Sequence, residues 1–247
     1  KSYTSFTPSA VFTTNSLHMN DKFKLWVASK IKDGTIIIIK QHGGHYGQGF
    51  GSAEDHEIAV SDYFLSWGWK SKDKKVMPFG IIKNKTKHKK KKNELHFTLY
   101  GNPRYSTGFI SMPVAGQVLD YLDDQMKFYQ CLPENILQNV KIRLYPHDYQ
   151  WYQKERWLEK FPRASFDNSK YDLYSRLSSA RLFVTGWNAT AYLESLIADI
   201  PTVIFWNKKY FELRDEALPF FSALEKAKIF HTSPLAAAKH VGSVWER

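Results

Sequence analysis

Apolar and polar positions follow two alternating periods along this chain. Residues 10–14 (AVFTT) read as a short strand. In 21–32 (DKFKLWVASKIK) the apolar residues Phe23, Trp26, Val27 and Ile31 recur at helical spacing, and Gly34 ends that helix. Residues 35–39 (TIIII) form an unbroken apolar, largely β-branched run. Such a run predicts a strand covered on both faces, as in a parallel sheet. The glycine-rich stretch QHGGHYGQGFG follows at its carboxyl end, then a predicted helix over 56–63 and the aromatic segment FLSWGW. This strand, helix, strand and loop occupy roughly 80 residues, short for a complete doubly wound domain.

A second pattern begins past residue 93. Residues 95–100 (LHFTLY) predict a strand, and Pro113 suits the first position of a helix. Val114, Val118, Leu122, Met126 and Tyr129 then keep helical spacing to about Cys131, which falls on the same stripe and reads as a small core residue. Strands over 140–145, 181–184 and 202–205 alternate with helices near 152–160, over 173–179 and over 190–199. Two further helices are expected across 211–228, and Ser233-Pro234 reads as a cap and first-turn pair opening the last helix. Trp26, Trp157, Phe220 and Phe221 read as core. Alternation of this kind predicts an α/β chain with two Rossmann-like, GT-B-like units, the first incomplete. Their expected bounds are 1–84 and 93–247, with a lysine-rich linker over 85–92.

Composition narrows the class. Of 247 residues, 43% are hydrophobic and 16% aromatic, enough for a packed core and incompatible with disorder throughout. A single cysteine excludes an intramolecular disulfide framework and a cysteine-clustered zinc site. No apolar run reaches the ~20 residues that span a bilayer, and no leader is visible at the start. The expectation is a cytoplasmic protein. Thirty-five Lys+Arg against 24 Asp+Glu give +11, but seven of those lysines lie in the run from Lys83 to Lys92 (KNKTKHKKKK). Without them the excess is +4. The run reads as a solvated linker, or as an attachment to anionic lipid at the inner face of the bacterial plasma membrane, each lysine contributing about 1 kcal/mol. It has no aromatic for base stacking, so nucleic acid is not an expected partner.

Three polar groups fall beyond predicted carboxyl ends of strands, where open parallel sheets bind ligands. The first is Gln41, His42, Gly43, Gly44, His45, Tyr46 and Gly47, where glycines admit close backbone approach and His42 titrates near neutrality as a base or phosphate donor. The plainer reading is a tight turn. The second is Glu54, Asp55, His56 and Glu57 with Asp62. Its carboxylates suit a base or nucleophile, or simply an acidic first helical turn. The third combines Arg143 and His147 with Asn188, Thr190 and Glu194. There a helix start offers free amides to phosphate, Glu194 suits a ribose diol, and the plainer reading is a helix cap. No residue set has metal-ligand spacing.

The string Gln41 to Gly47, then His56-Glu57, Ser61-Asp62 and Trp67-Gly68-Trp69, resembles the surface-polysaccharide (O-antigen) transferase family. Arg143-Leu144-Tyr145-Pro146 and Thr190 to Glu194 with Ile200-Pro201 resemble it too. The resemblance implies a metal-independent GT-B glycosyltransferase, related in kind to bacterial enzymes using CMP-activated Kdo or sialic-type sugars. It implies no permanently bound cofactor, a nucleotide-sugar donor, and a glycan or lipid-linked glycan acceptor. Gln41, Gly43, Gly44, Tyr46, Arg143, His147, Asn188, Thr190 and Glu194 would then bind substrate and nucleotide, while His42, Glu57 and Asp62 would be catalytic. The loop near residue 43 is expected to face the helix start near 189 across one crevice. A nucleotide-sugar epimerase or hydrolase, or a non-catalytic glycan-binding module, remains an alternative on the same residues.

Overall fold

The computed structural model describes residues 6–81, 93–106, 108, 110–168, 173–178 and 180–246. The lysine run over 83–92 lies outside the described residues. The chain divides into two compact units, Lys1–Lys83 and Asn84–Arg247. Each is built on a parallel sheet flanked by helices, an α/β chain of two Rossmann-like units.

The first unit runs β1 (Ala10–Thr13), α1 (Ser16–Met19), α2 (Asp21–Ile31), β2 (Ile36–Lys40), α3 (Ser52–Val60), β3 (Tyr63–Ser66) and β4 (Val76–Pro78). The side chain of Asn20 caps α2 by accepting from the Phe23 amide at 3.0 Å. Its strands are ordered β1-β2-β3-β4, all parallel. Val11, Ile37, Ile39, Phe64 and Val76 lie on one face of the sheet and pack with Leu17 of α1, Val27 of α2 and Ile58 of α3. The isoleucine run is therefore covered on one face only: Ile37 and Ile39 are buried, Ile36 is exposed and Ile38 half-buried. Strand order explains the departure from expectation. When each crossover steps to the next strand in the same direction and is right-handed, all connecting helices fall on one side. The helix expected over 56–63 lies earlier, and Tyr63 opens β3. A four-residue strand alternating Tyr63 out, Phe64 in, Leu65 out and Ser66 in is too short to distinguish itself from the aromatic segment that follows.

The second unit runs β5 (Leu95–Thr98), α4 (Gln117–Gln130), α5 (Glu134–Leu137), β6 (Val140–Arg143), α6 (Gln153–Lys160), α7 (Leu173–Leu177), β7 (Leu182–Thr185), α8 (Thr190–Ile197), β8 (Thr202–Phe205), α9 (Leu218–Lys226), β9 (Phe230–His231) and α10 (Pro234–Trp245). Its five parallel strands are ordered β6-β5-β7-β8-β9. Every residue of β5, β7 and β8 is buried, since α4 packs with α10 and α7 with α8 around this sheet. The centre is aromatic: Phe97, Phe128 and Phe205 stack with centroids 4.8–6.2 Å apart, and Trp157 meets Phe97 edge-on. Ser233 Oγ accepts from the Ala236 amide at 3.2 Å and Pro234 opens α10, as their order in the sequence predicts.

Four expectations are corrected. Helix α4 begins at Gln117 rather than Pro113. A single helix, α9, stands where two were expected over 211–228. Cys131 caps the end of α4 and is exposed, because the helix ends before its stripe reaches the sheet again. Phe220 is exposed while Phe221 is buried, as adjacent helical positions face different sides. Among the described residues no helix is long and apolar enough to cross a membrane.

Candidate functional site

In the first unit, the loop after β2 is locked before it reaches any ligand. Gln41 is buried and donates through Nε2 to the Gly43 carbonyl at 2.7 Å. Its Oε1 accepts from the Trp67 amide (2.8 Å) and from Trp69 Nε1 (2.7 Å), and its main-chain carbonyl accepts from Trp67 Nε1 (2.9 Å). Gln41 thus ties the loop after β2 to the loop after β3, which explains why Gln and the two tryptophans recur in one sequence string. Gly47 has φ +72°, and a Cβ there would meet the Trp69 ring at 2.7 Å, so only glycine lets the loop lie on the indole. The carbonyls of Gly43 and Gly44 are taken from inside by Gln41 and Gln48. His45, also buried, pairs through Nδ1 with the Glu54 carboxylate at 3.0 Å, fastening the loop to the start of α3.

His42 is exposed on this fixed base. Its Nδ1 lies 3.1 Å from the Thr14 carbonyl and 2.9 Å from the Tyr46 hydroxyl. A carbonyl only accepts, so Nδ1 carries the ring proton. The Tyr46 O–H in turn donates to Glu57 Oε2. The three groups form one ordered chain: His42 Nδ1–H is shared between the Thr14 carbonyl and the Tyr46 oxygen, and Tyr46 O–H points to the Glu57 carboxylate. Burial, reinforced by the Glu57 charge, raises the Tyr46 phenol far above its ordinary value, so it stays a donor. Glu57 is only 1% exposed, and among the described residues its Oε1 has no hydrogen-bond partner. An imidazole held with its proton on Nδ1 leaves Nε2 as the outward lone pair. This is how a general base is oriented. The exposed His18, just past β1, stands edge-on to His42 with centroids 6.1 Å apart. The sequence reading missed His18 and Thr14; Thr14 had a signal in closing the 10–14 strand, whereas His18 lies beyond it in α1.

Asp62 is placed elsewhere. Its Oδ2 accepts from the Ile37 amide at 2.7 Å and its own amide donates to the Ile37 carbonyl at 2.9 Å, a clasp at the amino edge of β2 and β3. From Ile37 to Gln41 the strand rises about 13 Å. Glu57 is brought to His42; Asp62 is not.

In the second unit the strand order reverses at β5, whose neighbours β6 and β7 lie on either side. The crevice beyond the carboxyl ends of strands at such a reversal is where open α/β sheets hold ligands. Tyr100 extends from β5 and Trp187 from β7, ring centroids 4.9 Å apart. The Tyr100 amide donates to the Tyr121 hydroxyl at 2.8 Å. Gly186 is pressed against Gln125 of α4, where a Cβ would lie 1.9 Å from Oε1. Asn188 is buried and accepts from the Tyr192 hydroxyl at 3.2 Å, bracing the turn into α8. Thr190 opens α8, whose N-cap residue Ala189 has no capping side chain, and the positive end of the helix dipole lies at this turn. Glu194 is buried one turn further on.

Arg143, at the end of β6, donates to Asp167 at 2.7 Å, and Arg176 pairs with the other Asp167 oxygen at 3.2 Å. His147 is exposed between Tyr145 and Tyr149, which stack at 5.8 Å. This loop carries positive φ at Tyr149, Gln150 and Tyr152. Three such residues in one turn store strain of about 1–3 kcal/mol each. Asp148 holds the turn by accepting the Tyr152 and Gln153 amides at 2.7 and 2.8 Å, and Trp151 donates to the Asn102 carbonyl at 2.8 Å. The candidate residues from β6 and β7 thus share the carboxyl edge of one sheet with Tyr100 between them. Among the described residues no group of three His, Cys, Asp or Glu is placed to hold a metal ion.

No curated protein matches the chain. The LIC12162 family transferase description matches residues 1–247. With a histidine-bearing loop beyond one parallel sheet and a strand-order reversal in the other, this chain belongs by that match to the LIC12162 family of transferases.

Proposed function

We propose that this transferase moves a sugar from a nucleotide-activated donor onto a hydroxyl of a surface glycan. The observation that carries the reading is the ordered chain His42–Tyr46–Glu57, which leaves His42 Nε2 facing outward on a locked loop. His42 Nε2 takes the acceptor hydroxyl's proton as that oxygen bonds to the anomeric carbon. The bond from that carbon to the phosphate oxygen breaks with its electron pair on the departing nucleotide. Glu57 is buried and engaged by Tyr46, so it does not attack the sugar itself, and a single displacement with inversion is the outcome this arrangement suits.

The second unit, taken by itself, has features that suit a nucleotide. The positive end of the α8 dipole and the exposed His147 suit a phosphate, and Arg143, paired with Asp167, ends a strand of the same sheet. The half-buried Trp187, backed by the buried Tyr100, offers a ring face for a base. The resemblance in residues 41–69 adds a CMP-activated nonulosonic acid as donor and an O-antigen or related lipid-linked glycan as acceptor. Under this reading no cofactor is resident and no metal is required, and Lys83 to Lys92 brings the enzyme to an anionic membrane surface. Calorimetry with CMP, CDP, UDP and GDP tests the donor assignment, one nucleotide binding in the micromolar range being expected. Absence of binding by all four counts against it.

A further inference from the structure

The first unit sets a second histidine beside His42. Strands β1 and β2 run parallel with Thr13 opposite Ile39, so the turns leaving their carboxyl ends start side by side. Each turn carries an exposed imidazole, His18 on the first and His42 on the second. The turn after β1 is held at several points. The Ser16 amide donates to Thr13 Oγ1 at 3.3 Å and the His18 amide to the Asn15 carbonyl at 3.0 Å. Leu17 is buried in the core that also takes Val27 and Ile58, which turns its neighbour His18 to the surface. The Thr14 carbonyl of the same turn accepts from His42 Nδ1 at 3.1 Å. One short stretch of chain thus carries His18 and fixes His42, and the two rings meet edge-on with centroids 6.1 Å apart.

The two histidines are engaged differently. His42 is committed inward through Nδ1, which leaves Nε2 for the acceptor oxygen. Among the described residues no hydrogen bond or ion pair engages the His18 ring. A neutral imidazole in that state offers one donor and one acceptor, whichever nitrogen carries the proton. A sugar hydroxyl also donates and accepts, so His18 suits it in either tautomer. At the observed spacing, hydrogen bonds of about 2.7–3.2 Å from the two rings reach neighbouring hydroxyls of one sugar, whose oxygens stand roughly one such length apart.

We propose that His18 holds the hydroxyl next to the one that reacts, so that the acceptor presents a vicinal diol to the His18–His42 pair and His18 selects which hydroxyl is glycosylated. The assignment rests on the transfer reading above and adds to it the acceptor chemistry, a free diol edge, and the residue that reads it. The proton of the reacting hydroxyl still goes to His42 Nε2, and no bond to His18 forms or breaks. Turning the acceptor so that the wrong hydroxyl meets His42 leaves the His18 bond unmade, which is how a binding contact becomes a choice of linkage.

The test compares wild type, His18→Ala and His18→Asn on a panel of glycan acceptors, reading acceptor KM, kcat and product linkage by NMR. His18 is exposed, so both variants are expected to fold. His18→Ala is expected to raise acceptor KM about tenfold and to give mixed linkages where wild type gives one, with kcat within about threefold. His18→Asn, which keeps a donor and an acceptor, is expected to restore most of the KM and the single linkage. Replacing the neighbouring hydroxyl of the acceptor by hydrogen is expected to cost wild type a similar factor and His18→Ala nothing more, as for two partners in one contact. Unchanged KM with a single linkage in His18→Ala overturns the assignment and leaves His42 as the base. A fall in kcat at unchanged KM also overturns it, since His18 then acts on the base rather than on the acceptor. Absence of turnover by wild type with every acceptor and donor overturns the transfer reading and this assignment together.

Discussion

At the scale of single residues, His42 and Tyr46 make claims separable by their kinetics. Removing the base, His42→Ala, is expected to lower kcat by about 10²–10⁴-fold with little change in donor affinity, measured as nucleotide release. Tyr46→Phe keeps the ring packing on Phe64, at 5.6 Å, but cuts the link to Glu57. The expected loss is roughly tenfold in kcat, because the imidazole loses the hydroxyl that ties it to Glu57. Turnover in Tyr46→Phe equal to wild type would remove the relay while leaving His42 as a base. Asp62→Asn is expected to leave kcat within about twofold and to lower stability by about 1 kcal/mol, since its carboxylate joins strands at the far edge from His42. A large loss of activity in a folded Asp62→Asn protein would contradict that placement.

At the scale of elements, loops rather than helices set the site. Gln41→Ala orphans the Trp67 amide and Trp69 Nε1 inside the interlock, and a destabilisation of about 3 kcal/mol in denaturant melts is expected, at the upper end for a polar truncation. Strands β1, β2, β5, β6, β7 and β8 and most of the longer helices were legible from pattern, because residues such as Ile37 and Val203 sit in apolar runs, whereas β3, β4 and β9 were not. Two things were hidden. A four-residue strand such as β3 carries too few alternations to stand out from the aromatics around it. The single covered face of the first sheet depends on strand order, which local pattern does not encode. The candidate site divides in the same way. The QHGGHYG loop announced itself by composition, yet the role of Gln41 as a clasp and the distance of Asp62 from His42 arise from pairings across 26 and 25 positions. His18 gave no signal of its own, being an isolated histidine beyond a short strand.

At the scale of the molecule, two buried histidines of the second unit set the acid limit. Burial pushes His96 and His231 below the ordinary imidazole value, against the opposing pull of Glu94 on His96 and of the Lys228 carbonyl on His231. The unfolded chain then takes up protons that the folded chain refuses. Stability is therefore expected to be complete above about pH 6.5 and to fall as pH drops below it toward the folded values. Melting temperatures recorded between pH 5 and 8 check this, and a profile that rises on acidification would contradict it. Membrane attachment belongs to the same scale. If Lys83 to Lys92 holds the protein to anionic lipid, sedimentation with phosphatidylserine vesicles is expected to weaken steeply with salt and to disappear when the seven lysines become serine.

The central claim is that His42, held by Tyr46 and Glu57, activates an acceptor hydroxyl against a nucleotide-bound sugar. The most direct measurement is acceptor-dependent release of nucleotide from a panel of CMP-, UDP- and GDP-sugars by wild type, His42→Ala and Glu57→Gln. The account expects one donor class to be consumed by wild type, turnover about 10²-fold or more slower in His42→Ala and about tenfold slower in Glu57→Gln, and unchanged nucleotide binding. Turnover in His42→Ala equal to wild type would contradict it.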